Sequence, residues 1–142
     1  MLNIIVVSGS RRDENNTEKA LSIALEELRR HASVKLVRVG EWNFPLPGDP
    51  NGPDDGERLR KLVLAADGFL FATPEYHGSI SSTLKLVIDN LGFPSTLEGK
   101  TIAIFGVAMG PSADNAVAHL RHILSHIGGY VLPLDASGGS VR

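Results

Sequence analysis

Apolar and polar positions along the chain alternate between two kinds of segment. Residues 2–7 are a short β-branched apolar run that stops at Ser8, Gly9 and Ser10, the pattern of a strand buried on both faces. Leu21, Ala24, Leu25 and Leu28 then recur at helical spacing, with Glu18 in the first turn and Asn16 or Thr17 available as N-cap. Residues 33–39 carry apolar side chains at 34, 36 and 39 with basic ones between, which predicts a second strand whose mixed pattern suits a sheet edge. Residues 40–56 hold four prolines and four glycines and read as a loop. Leu59, Leu62, Val63 and Ala66 mark a second helix, residues 67–74 a third strand that stops at Pro74, and Leu84, Val87, Ile88 and Leu91 a third helix capped by Ser81 or Ser82. A fourth strand over 100–108, a fourth helix through Ala116, Leu120, Ile123, Leu124 and Ile127, and a fifth strand over 129–134 complete the pattern.

Five strands alternating with four helices imply a parallel sheet, because parallel neighbours need crossover connections and helices supply them. The expected fold is α/β, a doubly wound sheet in the order 2-1-3-4-5, with a ligand at the carboxyl ends of strands 1, 3 and 4. At 142 residues the chain is expected to form a single domain over 1–142.

Composition narrows the chemistry. A net charge of −2 gives no basic patch for nucleic acid or an anionic membrane surface, and neither partner is expected. The absence of cysteine removes disulfides, thiol nucleophiles and iron–sulfur ligation, so redox chemistry would need a bound cofactor. The opening MLNIIVVSGS lacks the basic stretch that precedes a signal peptide's apolar run, and no run approaches a membrane span, so the expected location is cytoplasmic.

The loops after strands 1, 3 and 4 carry the unusual residues: SGSRRDENNT, TPEYHGSISS and VAMGPSADN. The first joins a helix N-terminus to hydroxyls and guanidinium groups, a combination that suits a phosphate, although Ser10, Asn16 and Thr17 also fit simple helix caps. It has neither the Gly-x-Gly-x-x-Gly pattern nor a Walker Lys-Ser/Thr, so dinucleotide and NTPase loops are not indicated. In the second loop Tyr76 and His77 offer planar rings and Gly78 permits close backbone approach, which fits a flat aromatic ligand.

These segments resemble the NADPH-dependent FMN reductases, a family of flavodoxin-like fold that includes chromate, quinone and azo-dye reductases. SGSRRDENNTEKAL is similar to the family's Gly-Ser-x-Arg-x-x-Ser-x-Asn/Thr loop. TPEYHGSISSTLKLVIDNL is similar to its Pro-Glu-Tyr-Asn/His-Gly-Ser loop and following helix. The resemblance implies bound FMN, with NADPH or NADH as co-substrate and a small electron acceptor such as a quinone, free flavin, azo compound or metal oxyanion. It makes Ser10, Arg12, Asn15 and Thr17 phosphate ligands, with Asn15 where the family usually has serine and Asn16 able to take its role. It puts Pro74, Glu75, Tyr76, His77, Gly78 and Ser79 around the ribityl chain and ring, largely through backbone groups, and Ala108, Met109 and Gly110 against the ring from strand 4. No acid–base side chain is required, because the flavin carries the reaction. Pro111, Ser112 and Ala113 depart from the family's glycine-rich continuation.

A flavodoxin-like sheet normally ends with a fifth helix beside the first, and DASGGSVR is too short and glycine-rich to form one. An apolar strip of sheet is then expected to be uncovered and to be met by another subunit, and the family resemblance implies a homodimer or homotetramer. Other features have plainer readings. His119, His122 and His126 share one side of the fourth helix but make a poor metal site, and none is expected. Asp89 is expected to bond a neighbouring backbone group or lysine, and Trp42, Phe44 and Pro45 either pack on the sheet or cap the ligand site. A flavodoxin-type electron carrier and a non-catalytic protein that has lost flavin are the rival functional readings.

Overall fold

Successive residues of a strand point to opposite faces, and here the two faces meet unequal numbers of helices. The computed structural model describes residues 1–53 and 55–139; Asp54 and residues 140–142, the end of the segment expected to form no helix, lie outside the described residues. Four parallel strands, β1 (Leu2–Ser8), β2 (Ala32–Arg38), β3 (Gly68–Pro74) and β4 (Thr101–Ala108), lie in the order β2-β1-β3-β4, with β2 at the edge as its mixed pattern predicts. The helices between them are α1 (Asn16–His31), α2 (Asp55–Ala65), α3 (Ser82–Asp89) and α4 (Asp114–His126).

Ile5, Val7, Phe69, Phe71, Ile102 and Ile104 fill one face of the sheet and pack on Leu59 and Val63 of α2, Leu84 and Val87 of α3, and Leu120 and Leu124 of α4. Side chains of this size contribute about 1.5–3 kcal/mol each when removed from water, so this three-helix layer is the principal core. The opposite face offers Val6 and Ala72 to Leu21 and Leu25 of α1, with Leu70 and Phe105 only partly buried. Trp42 and Phe44 belong to the principal core and stack at 5.7 Å between ring centroids, with the Arg58 guanidinium 4.1 Å above the indole. They pack on the sheet rather than cap a ligand site.

The expected fifth strand over 129–134 is divided. β5 is only Tyr130–Val131, pairing Thr101 and Ile102, and β6 (Ala136–Gly139) continues along the same strand from Phe105 to Ala108. The stretch 132–135 lies opposite only Ala103 and Ile104, so surplus chain bulges out where Pro133 has no N–H for the ladder. Arg121 on α4 secures the bulge, donating to the Leu132 carbonyl and to the Asp135 carboxylate, each at 2.7 Å. Part of the glycine-rich tail thus forms β6 rather than a free end. Beside α1, where this tail makes no helix among the described residues, Ala20, Ala24, Leu70, Phe105 and the exposed Leu134 line an open apolar groove.

Candidate functional site

The carboxyl ends of β1, β3 and β4 converge on one cleft. The β1–α1 loop enters it under tight constraint, because Gly9 donates to the Ala72 carbonyl at 2.8 Å and its own carbonyl accepts the Ser81 hydroxyl at 2.6 Å. A Cβ at this glycine would lie 2.7 Å from the Ala72 oxygen, closer than packed atoms tolerate. Ser81 is also the N-cap of α3, accepting the Leu84 N–H at 3.2 Å, which selects it over Ser82. One hydroxyl therefore joins the first loop to the helix that follows the second.

Asn15, not Asn16 or Thr17, caps α1. Its Oδ1 accepts the Glu18 N–H at 2.8 Å and its Nδ2 donates to the Arg12 carbonyl at 2.8 Å, so both ends of the amide are used within the loop. Two candidate caps beside each other were a local ambiguity that the extended backbone at residue 15 resolves. As the first two helical residues, Asn16 and Thr17 have N–H groups with no carbonyl of their own helix to bond, and both line the cleft. Ser10 is 3% exposed; its hydroxyl accepts the Arg12 N–H at 3.4 Å and donates to no group among the described residues. Arg12 lines the mouth, exposed and without an ion pair among the described residues. Behind the loop Glu18 pairs with Arg38 at 3.0 Å, and that hydrogen bond, opposed by burial, raises the Arg38 guanidinium above its ordinary pKa.

Across the cleft, residues 76–79 form a two-residue hairpin, which the apolar pattern of the chain does not predict. Tyr76 and Ser79 exchange backbone hydrogen bonds at 2.9 and 3.1 Å, and the central residues have positive φ, 49° at His77 and 74° at Gly78. Positive φ at both centres matches a type I′ turn, for which Xaa-Gly between extended flanks is the sequence signal. The N–H groups of His77 and Gly78 have no partner among the described residues and stand at the tip. Glu75 turns away from the tip: its carboxylate accepts the Ala116 N–H at 3.0 Å and the Asn115 amide at 3.4 Å, while its N–H donates to Val107 at 2.8 Å. Since Ala113, the N-cap residue of α4, makes no side-chain cap, Glu75 performs that task from another element.

The third wall is the end of β4. Ala108 is buried and Met109 exposed, both against the cleft. The unusual 111–113 segment is braced by β6, where Ser137 Oγ accepts the Ala113 N–H at 2.8 Å and Gly139 lies so close to Pro111 that a Cβ would overlap its carbonyl. Of the residues singled out above, Ser10, Arg12, Asn15, Asn16, Thr17, Pro74, Glu75, Tyr76, Ala108 and Met109 line the cleft. His77, Gly78, Ser79 and Gly110 do not line it. Glu14 and Val107 line it too, and neither residue type carries a sequence signal for the role.

The histidines of α4 separate. His119 Nδ1 meets Ser79 Oγ at 2.9 Å, whereas His122 and His126 stack at 6.3 Å between centroids, and no group of three metal-ligating side chains is found among the described residues. Asp89 pairs with Lys85 at 2.6 Å.

Residues 2–139 of a chain with this geometry match the family of NADPH-dependent FMN reductases. The chain belongs to that family. It is 32% identical over 130 residues to an NAD(P)H-dependent FMN reductase of Pseudomonas aeruginosa, covering 87% of this chain and 69% of the relative. To a 2-hydroxy-1,4-benzoquinone reductase of Burkholderia it is 35% identical over 136 residues, covering 89% and 72%. Other curated relatives are longer still, and the chain spans 52% and 62% of two of them. Among solved structures, a flavoenzyme NAD(P)H:(acceptor) oxidoreductase of Paracoccus denitrificans superposes with a TM-score of 0.84 at 23% identity, over 94% of this chain and 76% of that one. That likeness speaks to the fold, which is flavodoxin-like.

Proposed function

We propose that this chain is an FMN-dependent NAD(P)H oxidoreductase that passes electrons to a small acceptor of the quinone, free flavin, azo or metal-oxyanion class. The observation that carries the reading is the cleft itself, in a chain of this family: helix N–H groups, a buried hydroxyl and a guanidinium on one wall, and beside the other a hairpin with free N–H groups, the guanidinium and the turn N–H groups having no partner among the described residues. The donor set fits FMN. A phosphate would take the Asn16 and Thr17 N–H groups, the Ser10 hydroxyl and the Arg12 guanidinium, while Asn15 holds the loop in shape through its cap. Pro74, Glu75 and Tyr76 would run along the ribityl chain and ring, and the N–H groups of His77 and Gly78, at the turn's tip beyond the cleft lining, would serve the ring's polar edge where it projects from the cleft. Ser79 supports that turn, and Ala108, Met109 and Gly110 close the side toward β4.

When bound, the flavin supplies the hydride chemistry between a reduced nicotinamide and the acceptor. The protein's own contribution is to orient the ring with one face open and to hold N–H donors where reduction builds negative charge. Tyr76 and Met109 are exposed at the mouth and leave it open to exchange of donor and acceptor.

We also propose self-association through the apolar groove beside α1, which would take its apolar side chains out of water. No helix among the described residues is long and apolar enough to cross a membrane, and the proposed use of reduced nicotinamide accords with a cytoplasmic location.

The test is a visible absorption spectrum with added FMN, then anaerobic NADPH. Bound flavin that bleaches is the expected result. Bound flavin that stays oxidised would favour an electron carrier, and absence of binding would overturn the reading.

A further inference from the structure

The 76–79 hairpin is anchored at both of its approaches. On one side Glu75 is bonded to Val107 and to the start of α4. On the other, the Ser81 N–H donates to Thr73 Oγ1 at 3.3 Å and its hydroxyl to the Gly9 carbonyl at 2.6 Å. Between these anchors Tyr76 and Ser79 bond only each other through their backbones. Among the described residues, one hydrogen bond ties the turn itself to the rest of the fold, and it is the 2.9 Å contact of Ser79 Oγ with His119 Nδ1.

His119 stands one helical turn after Asn115 and Ala116, the residues that meet Glu75. The same side of α4 therefore grips both ends of the loop. His119 is exposed, and its ring leaves the neighbouring His122 and His126 pair to reach across to the turn. The two backbone hydrogen bonds between Tyr76 and Ser79 close the turn, so a displacement of Ser79 carries the His77 and Gly78 N–H groups with it. Holding Ser79 limits that displacement.

We propose that His119 is a positioning residue for the flavin: by holding Ser79 it sets the direction of the two turn N–H groups, which stand beside the cleft and would meet the part of the ring that projects from it. The inference rests on the FMN reading above and adds to it a residue outside the cleft. It assigns His119 no proton transfer and no contact with the reacting atoms.

The experiment compares FMN affinity and the bound-flavin absorption envelope in the wild type, His119→Leu, His119→Asn, Ser79→Ala and the His119→Leu/Ser79→Ala pair. Circular dichroism checks that each variant is folded, which the exposure of His119 favours. His119→Leu should bind FMN roughly 2- to 12-fold more weakly, the range of a single hydrogen bond, with an altered envelope. Asparagine keeps a polar atom at the δ position and should restore both. Ser79→Ala should lose as much as His119→Leu, and the double variant no more than either, since both remove one interaction. Wild-type affinity and spectrum in His119→Leu, or losses that add in the double variant, would overturn the inference while leaving the FMN reading intact. A wild-type chain that binds no FMN would overturn both.

Discussion

The Glu75 carboxylate and the Ala116 backbone N–H meet at 3.0 Å across 41 positions of sequence. A residue of the β3–α3 loop thereby serves as the missing cap of α4, and the bond couples loop position to helix stability. Glu75→Ala should cost the apo chain about 0.5–2 kcal/mol, the range for a lost cap, read as a lower urea midpoint with unchanged slope. Glu75→Gln, which keeps an acceptor but loses the charge favoured at a helix N-terminus, should fall between.

Arg12 and Asn15 should separate affinity from stability. Arg12→Ala removes an exposed guanidinium with no ion pair among the described residues, so unfolding should be unchanged. FMN binding should weaken by about 1.5–3 kcal/mol through loss of a charge-assisted bond, and fluorescence titration measures it. Equal affinity in the variant would take Arg12 out of the phosphate site.

Asn15→Ala should instead destabilise the apo chain by about 1 kcal/mol, as both hydrogen bonds of the cap vanish. Asn16→Ala, one position on, should leave apo stability near wild type. Reversal of that order in chemical denaturation would show that the cap lies elsewhere.

Gly9→Ala introduces a Cβ that would lie 2.7 Å from the Ala72 carbonyl oxygen and 3.2 Å from Leu84 Cβ. Both neighbours are buried, so the strain should appear as about 1–3 kcal/mol of lost stability, with weaker FMN binding as the loop shifts. Thermal unfolding with and without FMN distinguishes the two effects.

Leu134 is 84% exposed at the rim of the apolar groove, so Leu134→Lys should leave the fold intact and disfavour self-association. Light scattering should give a multiple of the chain mass for the wild type and a smaller mass for the variant. A monomeric wild type would remove the proposed association.

Much of the candidate cleft was legible before any tertiary information. The three loops at the sheet edge stand out because their small, amide and hydroxyl residues interrupt otherwise regular apolar patterns, and ten of the residues chosen from them line the cleft. The hairpin at 76–79 is not legible in the sequence because its flanks, Tyr76 and Ser79, do not belong to two alternating apolar runs, although His77-Gly78 fits the turn itself. The Ser79–His119 contact spans 40 positions between a half-buried serine and an exposed histidine, and no periodicity links such a pair.

The order of strands and helices was determined by sequence alone, because apolar spacing is a local property that each segment displays to itself. Sequence also singled out the edge strand β2, whose polar residues could not have occupied the centre of the sheet. Only tertiary structure decided that the last strand would divide around Pro133, since that depends on how many residues β4 presents to it. It likewise decided that Glu75 would cap α4 and His119 would hold Ser79. Those choices follow from which free hydrogen-bonding groups the packed helices bring within 3 Å of one another, a distance that exists only once the chain has folded.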